Sequence, residues 1–339
     1  MKRPVKKSAK AFDSNAAAAP DSGIYGLNTT PEESAVVLIP VPFEATTSFG
    51  GGTSKAPAAI LEASKQVDLF DRNLGRPYEE GICMLPIPQD IARLDAKAKK
   101  LAQTIIERGG MARAPELQYE LNEVNKIGQR VNREVYVAAE RWIKAGKIVG
   151  VVGGDHSTPF GLLQAVNDRG EFSILQIDAH ADLRKAYEGF VWSHASIMRN
   201  VMEQLPQATR LVQVGIRDYC EEEYDYILHS RRVVTYFEDE SGDRPWDSWC
   251  AEIVDCLRPR VYVSFDVDGL EPSLCPHTGT PVPGGLTFNN TIRLLDKLSR
   301  KRKIIGFDVC ETGNDPWDAN VAARILYKLI GYALKSRGE

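Results

Sequence analysis

The chain has 339 residues, about twice the commonest domain size, which admits either two small domains or one large α/β unit. With 43% hydrophobic and 26% charged residues, 27 glycines and 19 prolines, wholesale disorder and collagen-like repeats are excluded. A net charge of −4, from 42 bases and 46 acids, gives no electrostatic case for a nucleic-acid partner. Residues 1–24 place five Lys/Arg before the first acid and then a run of small residues, so they cannot bury enough to order themselves and read as a disordered tail. Residues 35–43, AVVLIPVPF, read as a buried strand closed by prolines, and 50–60, GGGTSKAPAAI, as a turn feeding a helix through Pro57. Residues 90–107 are rich in helix formers and are stopped by Gly109-Gly110. In the next helix Ile127, Val131, Val135, Ala138 or Ala139, and Trp142 form one apolar stripe, and Gly146 ends it.

Five short β-branched runs follow: KIVGVVGG (147–154), FSILQID (172–178), RLVQVGI (210–216), RVYVSFD (260–266) and KIIGFDV (303–309). Nearly uninterrupted apolar runs suit strands buried on both faces, and the spacing leaves room for crossover helices. The expectation is a parallel sheet between two helical layers, in one domain over 25–339. No apolar run approaches the ~20 residues of a membrane span. The six cysteines make no CxxC pair, which suits reduced thiols, so a cytoplasmic protein with no membrane partner is expected.

Ligands of such sheets bind outside the carboxyl ends of the strands, and the polar residues cluster there: Gly153-Gly154-Asp155-His156-Ser157, Asp178-Ala179-His180-Ala181-Asp182, Asp266-Val267-Asp268 and Asp308-Val309-Cys310-Glu311. In an extended segment Asp178, His180 and Asp182 share one face, with small Ala179 and Ala181 between them; Asp266 and Asp268 repeat the device. Together with His156 these make two imidazoles and four carboxylates. So many buried acids need a compensating cation, and four negative charges match two divalent ions. With no thiolate, the donor set favours Mn²⁺ and leaves Ni²⁺, Fe²⁺ and Co²⁺ open.

At these residues the sequence resembles the ureohydrolase family of arginase, agmatinase and guanidinobutyrase. The matching blocks are GGDHS (153–157), DAHADL (178–183) and SFDVDGLEP (264–272), with similarity also at 50–60 and in QVGIR (213–217), covering 35–335. The resemblance implies a three-layer α/β/α fold around an eight-stranded, mostly parallel sheet, in a homotrimer or homohexamer. It implies that one metal takes His156, Asp178, Asp182 and Asp266 and the other Asp178, His180, Asp266 and Asp268, with Asp178 and Asp266 bridging. Glu311 would take the guanidinium, His194 would shuttle a proton to the leaving amine, and Asp182 is counted with them as catalytic. Asp155 could orient the ligands or serve as a cap. Glu271 departs from the family's aspartate before Pro272, outside the metal set.

The implied reaction is hydrolysis of a small guanidino substrate to urea and an amine. The stretch 183–193, LRKAYEGFVWS, has no Asn and resembles the agmatinase subgroup, which disfavours arginine and makes agmatine, hence polyamine biosynthesis, the leading reading. Glu188 would face the far ammonium. Guanidinobutyrate, or free guanidine in a Ni-dependent relative, competes, because the insertion 108–125 can reshape the pocket. A single-zinc deacetylase and a non-catalytic scaffold are the other classes, and both conflict with the complete donor set. His229 and His277 are read as surface residues, and Cys275 and Cys310 as unreactive thiols.

Overall fold

The computed structural model describes residues 12–240, 242 and 244–338. Its strands are β1 (Val36–Val41), β2 (Ile82–Met84), β3 (Ile148–Gly153), β4 (Phe172–Ile177), β5 (Ala208–Ile216), β6 (Val233–Phe237), β7 (Arg260–Phe265) and β8 (Lys303–Val309). They form one eight-stranded sheet in the order β2-β1-β3-β8-β7-β4-β5-β6. Each neighbouring pair is parallel, in line with the parallel sheet expected from the sequence. β1, β3 and β4 are buried along their whole length, as suits their nearly uninterrupted apolar runs.

The helices are α1 (Ala56–Ser64), α2 (Gln89–Ile106), α3 (Gln118–Lys144), α4 (Phe160–Asn167), α5 (Ile197–Gln204), α6 (Glu221–His229), α7 (Trp246–Cys256), α8 (Phe288–Lys301) and α9 (Pro316–Lys335). One core packs α1, α7, α8 and α9 on one sheet face; the other packs α2, α3, α4 and α5 on the opposite face. The α3 stripe is Ile127, Val131, Val135, Ala139 and Trp142; Ala138 is only partly buried, so the register falls on Ala139. The insertion 108–125 covers the α2–α3 turn and the start of α3. Val124 joins Ala102 and Ile105 of α2 around Phe190, and the Met111 amide donates to Glu188 O at 3.0 Å, so the insertion props the 187–190 loop.

Of the tail expected over 1–24, residues 1–11 lie outside the described residues. Residues 12–24 depart from the disorder expected of them: Phe12 packs on Tyr78 at 5.7 Å, Lys65 Nζ donates to Pro20 O at 2.6 Å, and Ile24 is buried. The reason is that Ile24 and Tyr25 enter the core beside α1 and α9, where the Tyr25 hydroxyl donates to Ala323 O at 2.9 Å, which anchors the preceding segment. Among the described residues no helix is long and apolar enough to cross a membrane.

Candidate metal centre and substrate cavity

Four strand ends supply the site. After β3 the Asp155 amide donates to Phe43 O at 2.9 Å, and a Cβ at Gly154 would sit 2.1 Å from that oxygen; only glycine fits there. This close approach delivers His156, buried, to the sheet's edge. Ser264 Oγ donates to Asp308 Oδ2 at 2.9 Å and meets His156 Nε2 at 2.9 Å, so it accepts the Nε2 proton. That bond turns Nδ1 towards Asp178 Oδ2 and Asp182 Oδ2, each at 3.0 Å, and Asp266 Oδ2 at 3.4 Å. Nδ1 is buried without a hydrogen-bond partner. A ring nitrogen facing three carboxylates is the arrangement a cation satisfies, with Ser264 and Asp308 fixing the ring behind it.

Asp178 follows β4. Its Oδ2 accepts from Gln176 Nε2 (2.8 Å), whose Oε1 accepts from Gln213 Nε2 (2.7 Å), whose Oε1 accepts from Thr235 Oγ1 (2.7 Å). This relay crosses β4, β5 and β6. Its signal in the sequence is one glutamine inside the mostly apolar run of each of β4 and β5. Asp178 Oδ1 accepts the His180 amide at 2.7 Å. His180 Nδ1 lies 2.9 Å from Asp268 Oδ2, and Asp268 Oδ1 accepts the Ala179 amide at 3.0 Å. Asp266 Oδ1 accepts the Asp268 amide at 2.9 Å. The structure therefore brings together two donor groups, His156–Asp178–Asp266 and Asp178–His180–Asp268, each with its donor atoms within 4.8 Å of one another, and Asp178 belongs to both.

Asp182 arrives differently from the simple alternation expected of an extended run. Its φ of 55° is left-handed, and its carbonyl accepts the amides of Met198 (3.1 Å) and Arg199 (3.2 Å) in α5. The helix N-terminus holds the turn and so offsets a backbone cost of about 1 kcal/mol.

The electrostatics show what the cluster lacks. Burial and the neighbouring carboxylates raise Asp178 and Asp266, and burial with Asp178 pushes Asp182 up to about 8. Burial opposes charge on His180, but Asp268, Asp178 and Asp182 outweigh it and push the imidazole up to about 10. Raised carboxyls and a raised imidazole, with Asp268 alone lowered because His180 outweighs its burial, are the response of a site built for more positive charge than its own side chains carry. The donors thus fit two hard or borderline dications.

The centre opens into a cavity of about 170 Å³, lined by His180, Asp182, Tyr187, His194, Asp218 and Thr280 among others. His194 stands edge-on to Tyr187 at 5.9 Å; burial, with His180 and His156, lowers it to about 4, so it is neutral near pH 7. Glu311, φ 62°, has Oε1 accepting the His156 amide at 2.9 Å, while its buried Oε2 has no partner. Burial and Asp155 raise its carboxyl well above the usual range.

Glu188 does not line the cavity. Its φ is 54°, and its Cα and Cβ lie where a side chain on Gly110 would go, so the loop turns it towards the 108–125 insertion and Tyr187 towards the cavity instead. The outer carboxylate is Asp218, which the sequence reading missed although it directly follows the QVGIR block. Nearby Glu223 is buried and committed, accepting the amides of Leu183 and Cys220, both at 2.9 Å. Arg184 lies 3.5 Å from Glu223 and over the Tyr187 ring at 5.1 Å. Asp155 Oδ1 accepts the Ser157 amide at 3.0 Å, closing a turn ahead of α4. His229 and His277 are both exposed, and His277 also contacts buried Asp318; Cys275 and Cys310 are buried, and burial raises both thiols.

The Arginase family model matches residues 34–333, and the chain belongs to this family of metal-dependent hydrolases, which act on guanidino compounds through a binuclear centre. It is 35% identical over 317 residues to the N(1)-aminopropylagmatine ureohydrolase of Thermus thermophilus, covering 91% of this chain and 94% of that one. It is 27% identical over 302 residues to the agmatinase of Pyrococcus horikoshii, covering 88% and 92%. Its fold resembles that of the agmatine ureohydrolase of Thermoplasma volcanium, with a TM-score of 0.69, 23% identity and coverage of 91% and 92%.

Proposed function

We propose that the chain hydrolyses a guanidino substrate with a cationic tail, with agmatine giving urea and putrescine as the leading case. The observation that carries this is the outer end of the cavity, where the largely exposed Asp218 carboxylate, 3.7 Å from His180 Nε2, faces the opening while Arg184 is engaged by Glu223 and Tyr187. A carboxylate there complements an ammonium and repels the carboxylate of guanidinobutyrate. The Asp218 side chain is 65% exposed, so the tail can run on past it; that openness, with the name of the Thermus relative, supports N(1)-aminopropylagmatine as a second substrate.

His156, Asp178, Asp182 and Asp266 would hold one metal and Asp178, His180, Asp266 and Asp268 the other, Mn²⁺ before Ni²⁺ by donor type. When bound, the pair supplies water acidic enough to be available as hydroxide near neutral pH. Glu311 Oε2 takes a guanidinium N–H in a charge-assisted bond, which anchors the reacting carbon beside His156 and relieves the raised carboxyl. Asp182, facing both His156 and the cavity, is placed to hold a proton during the attack. His194, neutral near pH 7, relays a proton to the departing amine. A homotrimer or homohexamer belongs to the same reading, and light scattering tests it.

Competition kinetics on Mn²⁺-loaded enzyme test the substrate class. Agmatine or N(1)-aminopropylagmatine is expected to exceed guanidinobutyrate, arginine and guanidine in kcat/KM. Preference for guanidinobutyrate or free guanidine would contradict the reading.

A further inference from the structure

We infer that His277 is a positioning residue for Glu311, tying the 275–280 loop to Asp318 so that the loop holds Glu311 in its disfavoured backbone conformation. The inference rests on the reading of Glu311 as the guanidinium acceptor.

A left-handed glutamate persists only where its surroundings over-determine it. On one side, the Glu311 amide donates to Gly154 O at 2.8 Å and Oε1 accepts the His156 amide, so the end of β3 holds it. On the other side, the Glu311 carbonyl accepts from Thr278 Oγ1 at 2.8 Å, and a Cβ on Gly279 would lie 3.4 Å from the free Oε2. That second wall is irregular chain with no ladder of its own.

Its anchor is adjacent to Thr278. The His277 amide donates to Asp318 Oδ2 at 2.9 Å, and His277 Nδ1 meets Asp318 Oδ1 at 3.1 Å. Asp318 is fully buried in the first turn of α9, so one carboxylate grips both the backbone and the ring of the same residue from a packed helix. The Glu311 loop presses on the same point: a Cβ on Gly313 would fall 2.2 Å from His277 O and 2.7 Å from Asp318 Oδ2. Asp315 is also near, at 3.7 Å from Nδ1, but its Oδ1 caps the Trp317 amide at 2.8 Å, so hydrogen bonds account for the group. The His277 side chain is 56% exposed and adds little to the core, so its contact with Asp318 is explained by the loop it fixes.

The test uses the metal-loaded enzyme and whichever guanidino substrate turns over fastest. His277→Ala is expected to raise KM about fivefold, as loss of one hydrogen bond does, with kcat within about twofold. His277→Asn, whose amide can replace the Nδ1–H donor, is expected to restore KM. Thr278→Val is expected to match His277→Ala, and the double variant to be no worse than the larger single change, because both act through one contact. Hydrogen exchange of the 275–280 amides should accelerate in His277→Ala and not in His277→Asn. Glu311→Gln run in parallel should raise KM more than about tenfold. An unchanged KM in His277→Ala, or additive losses in the double variant, would overturn the lock. An unchanged KM in Glu311→Gln would overturn the Glu311 reading and the lock with it.

Discussion

The two walls of the cavity are built in different ways. The inner wall is made of strand ends: His156, Asp178, Asp182, Asp266 and Asp268 are buried and tied to backbone amides, to Ser264 or to the glutamine relay. The outer wall is made of loops. Tyr187, His194, Asp218 and Thr280 come from three separate connections, and Asp218 is largely exposed. The difference teaches where each property of the protein resides. On the proposed reading the metal donors sit on the rigid scaffold, where a misplaced donor costs much, while the His194 proton relay and substrate choice sit on connections that can vary without disturbing the sheet.

The inner wall breaks most severely. Asp266→Ala should remove bound metal, measured as metal per chain, and lower turnover by more than the ~100-fold that a change behind the ligands typically costs. Ser264→Ala, which leaves all six proposed ligands in place, should weaken metal affinity ~10–100-fold by freeing the His156 ring. Stability should show the same charge imbalance. Asp182 is pushed up to about 8 by burial and Asp178, and His180 up to about 10 by its three carboxylate neighbours against burial, from ordinary values of 3.8 and 6.5. Between pH 6.5 and 8 the folded metal-free protein therefore holds protons that the unfolded chain has released. Its stability falls as pH rises through that window, and metal loading should flatten the fall in a thermal-denaturation series.

The outer wall should yield smaller, substrate-dependent effects. Asp218→Asn is expected to lower kcat/KM for agmatine about two- to fivefold, as suits an exposed charge, while leaving free guanidine unchanged. Glu188→Gln, off the cavity, is expected to stay within about twofold for every substrate; a selective loss with agmatine would return Glu188 to the site.

The same contrast governs what could be read from the amino-acid sequence. The strands of 147–154, 172–178, 210–216, 260–266 and 303–309 were legible because burial on both faces leaves unbroken apolar runs, and the metal donors because they sit at those runs' carboxyl ends. β2, three residues long, and β6, mostly half-buried, escaped notice because edge strands need no such run. Gln176, Gln213 and Ser264 read as strand residues, since a buried bond to a distant strand leaves no local pattern. The orientation of Glu188 was not legible because loop composition does not report φ, and one left-handed residue exchanges the sides to which Tyr187 and Glu188 point.

The most direct test measures urea release and metal per chain on the same preparation, stripped of metal and then reloaded with Mn²⁺ or Ni²⁺, with agmatine as substrate and Asp266→Ala as control. Expected are two metals per chain and urea release in the reloaded enzyme, with both lost in the variant. Urea release by Asp266→Ala at the full rate with two metals retained, or no urea from any guanidino compound after reloading, would contradict it.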